Sequence, residues 1–266
     1  MTIIIESQQN PRLKELKRLA TQRERRRSGH FLAEGEDLVL AADAAGRQAV
    51  EGFRLAGSQL GGDRFHDVEA GLLRSVSTLG SGARVIGVYE QVWSDPVGPL
   101  CVYLHGVGDP GNVGTVLRSA QAFGASCVAL GPGCADPHSP KAVRASMGAI
   151  FSVALARVND ASVLPGERVA LVADAEEILR GPGPAAVAGE GAADASSSGA
   201  ALAPLTLLIG SERYGLPAEV VSACKRSARI PIASESLNAA MAATVALYEV
   251  TRDRRLSPSS SRVRAS

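Results

Sequence analysis

The 266-residue sequence has few aromatic residues, almost no net charge and no long hydrophobic run. Aromatic residues make up 4% of the chain, which argues against a protein that holds single strands mainly by base stacking. The formal net charge is +1, so any contact with nucleic acid depends on where charge is concentrated. No apolar run approaches the roughly 20 residues that span a bilayer, and no hydrophobic signal segment begins the chain. We therefore expect a soluble, cytoplasmic protein that does not enter membranes.

Cysteine is also scarce, with four residues, no CxxC pair and no histidine at zinc-binding spacing. Cys101 and Cys127 lie inside apolar runs, which is typical of buried free thiols and suits a reducing compartment. No cluster of aspartate, histidine and glutamate offers an alternative set of ligands. The sequence therefore predicts no metal site.

Positive charge is concentrated near the N-terminus. Residues 10–27 predict one helix, with Asn10 as its N-cap and Pro11 in its first position. Between Arg12 and Arg27, eight basic residues face two acidic ones, a local net charge of +6. A run of charge is often only a solvated helix face, but on a nearly neutral chain this density favours contact with RNA phosphates. The candidate RNA-binding residues are Arg12, Lys14, Lys17, Arg18, Arg25 and Arg26.

Composition divides the chain into two domains. Short strand and helix candidates alternate over residues 1–94, which predicts a small α/β domain, and Asp95-Pro96 begins a plausible linker. Clearer alternation over residues 98–256 predicts a mostly parallel sheet with helices on both faces. The Gly/Ala/Pro/Ser-rich stretch at about 181–204 interrupts this domain as a flexible insert, and the Ser-rich tail 257–266 is predicted to be disordered.

A glycine-rich turn, Gly106–Gly111, follows the predicted strand Leu100–Leu104 and matches the dinucleotide fingerprint G-x-G-x-x-G. Two features argue against a nicotinamide or flavin cofactor. Pro110 lacks the N–H that would face a phosphate, and no acidic residue follows the next strand to bind a ribose. The alternative interpretation is a turn that ends at Asn112 as an N-cap, ahead of a helix carrying Arg118. Alone, Arg118 is most simply a surface salt-bridge partner.

Two later segments carry polar residues beside predicted strands and helices. Gly210–Pro217 is a tight turn after an apolar strand, and it holds Glu212 where open α/β sheets bind ligands. A last helix is predicted to start at Ser236, with Asn238 in its first turn. Taken singly, Glu212 could be a solvated loop residue and Asn238 a second capping residue. Leu237, Met241, Val245 and Tyr248 form one apolar stripe on this helix, and its five alanines allow another backbone to pack closely, in a core or at a subunit interface.

Three segments resemble, in this order, the three motifs of SpoU/TrmH-type methyltransferases. They are N-x-G-x-x-x-R (Asn112 to Arg118), G-x-E-x-x-G (Gly210 to Gly215) and I-P-…-S-L-N…LYE (Ile230 to Glu249). Asn10 to Lys14 and Phe31 to Gly35 resemble the substrate-binding extension of the family's ribosomal RNA members, an L30e-like α/β module. The resemblance implies the SPOUT fold, whose parallel sheet is threaded into a deep trefoil knot. It also implies a homodimer with the active site at the subunit interface.

The same resemblance implies a SAM-dependent transfer of a methyl group to a ribose 2′-hydroxyl. The N-terminal extension favours ribosomal RNA over tRNA, and a non-catalytic RNA-binding protein that keeps the fold is the rival interpretation. The implied catalytic residues are Arg118, Glu212, Asn238 and Asn112. The implied SAM-binding residues are Gly210, Ser211, Ile230, Pro231, Ile232 and Leu237. Because a guanidinium stays charged, Arg118 suits a clamp on developing negative charge better than a general base.

Overall fold

The computed structural model describes residues 4–79, 82–181, 204–234 and 236–252. Apart from its end residues Gly181 and Pro204, the predicted insert lies outside the described residues, as does the predicted tail 257–266. Within the described part of the chain, no helix is both long enough and apolar enough to cross a membrane. The chain forms two compact units, which draw on several stretches of sequence each. The first contains Met1–Val92, Asp109–Arg118 and Ala135–Ser152, and the second contains Trp93–Gly108, Ser119–Cys134 and Val153–Ser266.

The first unit contains a four-stranded mixed sheet. Its strands are β1 (His30–Glu34), β2 (Glu51–Leu55), β3 (Phe65–Val68) and β4 (Val85–Glu90), in the order β1-β4-β2-β3. Strand β4 pairs antiparallel with β1 and β2, and β2 pairs parallel with β3. The helices are α1 (Pro11–Arg18), α2 (Gln22–Ser28), α3 (Glu36–Ala44) and α4 (Ala70–Val76). Leu13, Leu16, Phe53 and Leu73 belong to one buried cluster, so α1 and α4 contribute directly to this core.

The N-terminal basic segment forms two helices, and the prediction of one helix over 10–27 is wrong. Asn10 caps α1 as predicted, its side chain accepting a hydrogen bond from Arg12 N at 3.0 Å. The Thr21 hydroxyl then donates to Arg18 O at 2.8 Å and accepts from Glu24 N at 3.4 Å. A threonine that closes one helix and opens the next explains the break, because its side chain satisfies backbone groups at both ends.

The second unit contains a seven-stranded sheet in which every pair of neighbours is parallel, as the sequence predicts. The strand order is β7-β6-β5-β10-β8-β11-β9. The strands are β5 (Leu100–Leu104), β6 (Cys127–Leu130), β7 (Ala154–Arg157), β8 (Glu167–Leu171), β9 (Glu177–Ile178), β10 (Leu205–Ile209) and β11 (Arg226–Arg229). Cys101 and Cys127 are opposite each other in β5 and β6, and both are buried free thiols as predicted.

Four further helices follow the first sheet in the sequence, namely α5 (Pro110–Ala122), α6 (Pro140–Ser146), α7 (Ala218–Ser222) and α8 (Ala239–Thr251). Ser139 caps α6 as its pattern predicts, accepting from Ala142 N at 3.3 Å. Helix α8 packs against β10 in the second unit. The trefoil knot implied by the sequence stays a prediction.

Helix α5 begins at Pro110, so the prediction of Asn112 as its N-cap is wrong. The Asp109 carboxylate accepts a hydrogen bond from Asn112 N at 3.1 Å, and Asp109 O accepts from Val113 N at 3.2 Å. Lys141 Nζ lies 2.7 Å from the other carboxylate oxygen, and this contact holds the pKa of Asp109 below its usual value. An aspartate cap followed by proline is a strong helix start, which displaces the cap three residues towards the N-terminus.

Candidate active site

A cleft of about 220 Å³ opens at the carboxyl ends of β8, β10 and β11 in the second unit. Open parallel sheets bind ligands at this edge because the loops that follow the strands meet there. The lining residues are Leu171, Val172, Ala173, Ile209, Gly210, Ser211, Glu212, Gly215, Ile230, Ile232, Ser236, Leu237, Ala239 and Ala242. Most of the walls are apolar or backbone, and Glu212 is the ionisable side chain among them.

One wall of the cleft is the tight turn from Gly210 to Gly215. Ser211 and Gly215 exchange backbone hydrogen bonds of 3.2 and 2.9 Å, and Tyr214 N donates to Ser211 Oγ at 3.1 Å. A Cβ on Gly210 would lie 2.0 Å from the carbonyl carbon of Gly215, so only glycine lets the two backbone segments approach this closely. The turn therefore holds the exposed Glu212 in a fixed loop beside the cleft.

The start of α8 forms another wall, and it differs from the prediction. Asn238, in place of Ser236, is the N-cap, its Oδ1 accepting from Ala240 N at 2.9 Å and from Met241 N at 3.3 Å. Ser236 lies before the helix and lines the cleft. Of the two interpretations that the sequence left open for Asn238, the capping role is therefore the observed one.

Five of the six predicted SAM-binding residues line the cleft, namely Gly210, Ser211, Ile230, Ile232 and Leu237. Pro231 is exposed and is absent from the lining. The sequence interpretation missed Leu171–Ala173, at the carboxyl end of β8, and the small residues Ala239 and Ala242 of α8. The rule that ligands bind at the carboxyl ends of strands could have found Leu171–Ala173, because a mostly parallel sheet was predicted over this part of the chain.

The other predicted catalytic residues lie on α5, in the part of that helix that belongs to the first unit. Arg118 is exposed, and Asn112 is half-buried in the first turn. Because α5 begins at Pro110, Arg118 lies further into the helix than the sequence indicated.

Five predicted RNA-binding side chains are exposed on α1 and α2, and we call them the basic face. They are Arg12, Lys14, Lys17, Arg18 and Arg26. Two of these side chains make polar contacts. Arg12 forms a salt bridge with Glu51 at 2.5 Å, and Lys14 Nζ donates a hydrogen bond to Gln9 Oε1 at 2.6 Å.

The sixth, Arg25, is 3% exposed, and its burial contradicts the prediction that it contacts RNA. Its Nη2 pairs with Asp136 at 2.8 Å, and its Nη1 donates to Leu19 O and Ala20 O at 2.9 and 2.8 Å. A buried guanidinium needs such partners, so Arg25 stabilises the turn between α1 and α2.

No group of three or more His, Cys, Asp or Glu side chains is placed to bind a metal within the residues that the structure describes.

A parallel sheet with a cleft at the carboxyl ends of its strands, beside a Gly-x-Glu turn, defines the class, an α/β fold with a ligand-sized site at its sheet edge. Residues 99–248 match the SpoU rRNA Methylase family, and residues 10–94 match the MRM3-like substrate binding domain. The chain belongs to the SpoU rRNA Methylase family, which confirms the resemblance that its motifs carry.

Three relatives illustrate the similarity. An rRNA methyltransferase from Sinorhizobium meliloti has a TM-score of 0.80 and 29% identity, covering 96% of this chain and 99% of its own. Its AdoMet-bound structure gives a TM-score of 0.79. The 23S rRNA (guanosine(2553)-2′-O)-methyltransferase RlmP of Bacillus subtilis is 28% identical over 92% of this chain and 98% of its own. A 23S rRNA (uridine(2479)-2′-O)-methyltransferase of Streptomyces viridochromogenes is 39% identical, but the match covers 54% of this chain and half of that relative's length.

Proposed function

We propose that this protein transfers a methyl group from SAM to a ribose 2′-hydroxyl of ribosomal RNA. The observation that carries the proposal is the cleft at the carboxyl ends of β8, β10 and β11, formed by the family's own G-x-E turn and the Ile230 to Asn238 segment. The Bacillus and Streptomyces relatives bear names that specify 2′-O-methylation of 23S rRNA. The Sinorhizobium relative has been solved with AdoMet.

The residues of the cleft suit SAM. Leu171, Ile209, Ile230 and Leu237 offer apolar surface for an adenine ring, and the strand ends offer backbone donors and acceptors for its edge. When bound, SAM supplies a methyl group on a positively charged sulfur, and the carboxylate of Glu212 provides a complementary charge. The small side chains of α8 keep space open at its first turn.

Three side chains have distinct roles in this proposal. Arg118 stabilises the negative charge that develops on the 2′-oxygen, while an RNA phosphate or a water accepts the proton. Glu212 orients the reacting hydroxyl. Asn238 is a positioning residue, because its side chain fixes the first turn of α8 beside the cleft.

The test is methyl transfer from radiolabelled SAM to total rRNA from a strain that lacks this gene. We expect label in rRNA and at a ribose 2′-oxygen, mapped by the resistance of that position to alkaline cleavage. Label in tRNA alone would redirect the substrate assignment. RNA binding without any label would support the rival interpretation, a non-catalytic RNA-binding protein.

We further propose that the basic face binds RNA phosphates. Replacing Lys17, Arg18 and Arg26 together by alanine should weaken rRNA binding about tenfold or more at low salt. The slope of log affinity against log salt should become shallower by about 0.7 to 0.9 for each phosphate that the variant no longer neutralises. Filter binding over a salt series measures both quantities. A Lys225→Ala variant, which removes an exposed charge from the second unit, serves as the control; an unchanged slope in the triple variant would contradict the proposal.

We propose a homodimer in which a second copy covers α8. Met241, Val245 and Tyr248 are 61%, 41% and 55% exposed, and their spacing places them along one side of the helix. An exposed apolar stripe of this kind is typical of an interaction surface.

The predicted location in the cytoplasm stays a prediction.

Met241→Asp combined with Val245→Asp should convert the dimer to a monomer, because two carboxylates would be buried without partners. Sedimentation velocity measures the change, and circular dichroism checks that the fold is kept. Val163→Asp is the matched control, since Val163 is 60% exposed elsewhere in the second unit. A double variant that sediments as the wild type does would refute this interface.

A further inference from the structure

A second cleft lies on the other side of the Gly210 to Gly215 turn. Its lining residues are His105, Gly106, Pro132, Gly133, Ser211, Tyr214, Gly215 and Pro217. It has a volume of about 540 Å³ and opens at the carboxyl ends of β5 and β6. The floor is backbone, because Gly106 N donates to Pro132 O at 2.9 Å and a Cβ on Gly133 would lie 3.1 Å from Gly106 Cα. Ser211 and Gly215 line both clefts, so an occupant here lies next to the cofactor cleft.

His105 lines this second cleft, and its ring is held by a neighbouring tyrosine. Its Nδ1 lies 3.0 Å from the hydroxyl of the buried Tyr103. Burial raises the pKa of Tyr103 to about 12, so the phenol keeps its proton at neutral pH. We assign this proton to the bond with Nδ1, an arrangement that leaves Nε2 to carry the ring hydrogen. His105 can then donate a hydrogen bond to a carbonyl oxygen or ring nitrogen.

Tyr214 presents an aromatic ring at the same place, with the Arg213 guanidinium carbon over it at 5.6 Å from the ring centroid. It is 80% exposed, the most exposed of the large hydrophobic side chains in the described residues. The chain has only ten aromatic residues (one Trp, four Tyr and five Phe). An exposed ring on a rigid turn beside a cleft offers a stacking platform, which is how proteins hold unstacked RNA bases.

We infer that this second cleft receives the base of the nucleotide to be methylated, stacked on Tyr214 and contacted at its edge by His105. The inference rests on the proposed function, since it names how that RNA substrate is held. A base in this cleft brings its ribose beside the turn that both clefts share. Pro132 and Pro217 add apolar surface to the lining, which suits a flat ring, and Gly106 and Gly133 allow a close approach.

The test compares Tyr214→Ala with Tyr214→Phe and Tyr214→Trp. The alanine variant removes the ring on which one base stacks. Its kcat/KM for total rRNA from the gene-deleted strain should therefore fall by about 10-fold to 100-fold. The phenylalanine and tryptophan variants keep an aromatic face and should stay within about threefold of the wild type. SAM affinity by calorimetry should not change. The salt dependence of RNA binding should keep the wild-type slope, because the substitution removes no charge.

Each remaining outcome has a definite meaning. Wild-type activity in Tyr214→Ala, or an equal fall in all three variants, would overturn the inference. A parallel loss of SAM affinity would assign the cleft to the cofactor instead, which also overturns it. If the wild type binds rRNA without methylating it, the proposed function fails, and a tenfold weaker binding by Tyr214→Ala would still support stacking of an RNA base on Tyr214. If the wild type neither binds nor methylates rRNA, both proposals fail.

Discussion

Replacing Arg118 by alanine should slow methyl transfer to rRNA by about 100-fold to 1,000-fold, a loss typical of removing one charge-stabilising group from an active site. SAM affinity should stay within about twofold, because Arg118 belongs to α5 and is absent from the cleft lined by Gly210 and Leu237. A ribose hydroxyl is a poor nucleophile at neutral pH, and its oxygen gains negative charge as it loses its proton. A guanidinium is suited to stabilise this charge, since it stays protonated.

The effect is measured as a single-turnover rate at saturating RNA, with calorimetry for SAM. Arg118→Lys separates charge from shape, because lysine keeps the charge and loses the planar fork, so we expect an intermediate rate. Arg144→Ala is the matched control, an exposed arginine of the first unit on α6. Full activity in Arg118→Ala would remove Arg118 from the reaction. A fall in SAM affinity equal to the fall in rate would move it to cofactor binding.

The sequence predicted the second unit better than the first. Leu100–Leu104 is a continuous apolar run and Leu205–Ile209 is broken only by Thr206, and a buried parallel strand has this pattern whatever surrounds it. Strand β11, Arg226–Arg229, carries two arginines and no apolar run, so local pattern could not find it. Its position depends on pairing with β8, a contact that is distant in sequence.

The predicted starts of helices are wrong where two nearby residues could each serve as the N-cap. Asp109 and Asn112 can both cap a helix, and Pro110 decides for Asp109 because proline suits the first helical position. Before α8, Ser236 and Asn238 compete in the same way, and the structure selects Asn238. This choice bears on the proposed role of Asn238, because the cap holds in place a side chain that the family motif suggests for the reaction.

Charge alone also gave no information on burial. Arg25 and Arg26 are adjacent in a basic run, yet Arg25 is buried and forms a salt bridge with Asp136, whereas Arg26 is exposed. The partner is 111 residues away in sequence, so no local pattern could separate them. Arg118, Glu212 and Asn238, the three residues with roles in the proposed reaction, could not be recognised from local pattern either. Only their order along the chain marks them as a set.

Gly210→Ala should lower SAM affinity by about 100-fold or more, the largest effect that we expect from adding a single methyl group. The new Cβ would lie 2.0 and 2.2 Å from the carbonyl carbon and oxygen of Gly215, and 2.3 Å from Leu216 N. These are backbone atoms, so no side-chain rotation relieves the overlap and the whole turn must move. Ser211 and Glu212 would move with it, and both line the cofactor cleft.

Calorimetry with SAM measures this loss, and the methyl-transfer rate should fall with it. Gly108→Ala is the matched control, because a Cβ there meets no atom within 4 Å and its backbone lies outside the left-handed region. Thermal unfolding should show a cost of about 1 to 3 kcal/mol for the overpacked turn. Binding of rRNA through the basic face should persist, since that surface belongs to the other unit and a folded variant keeps it. Normal SAM affinity in Gly210→Ala would show that the turn is not a wall of the cofactor site, and the assignment of the cleft would then fail.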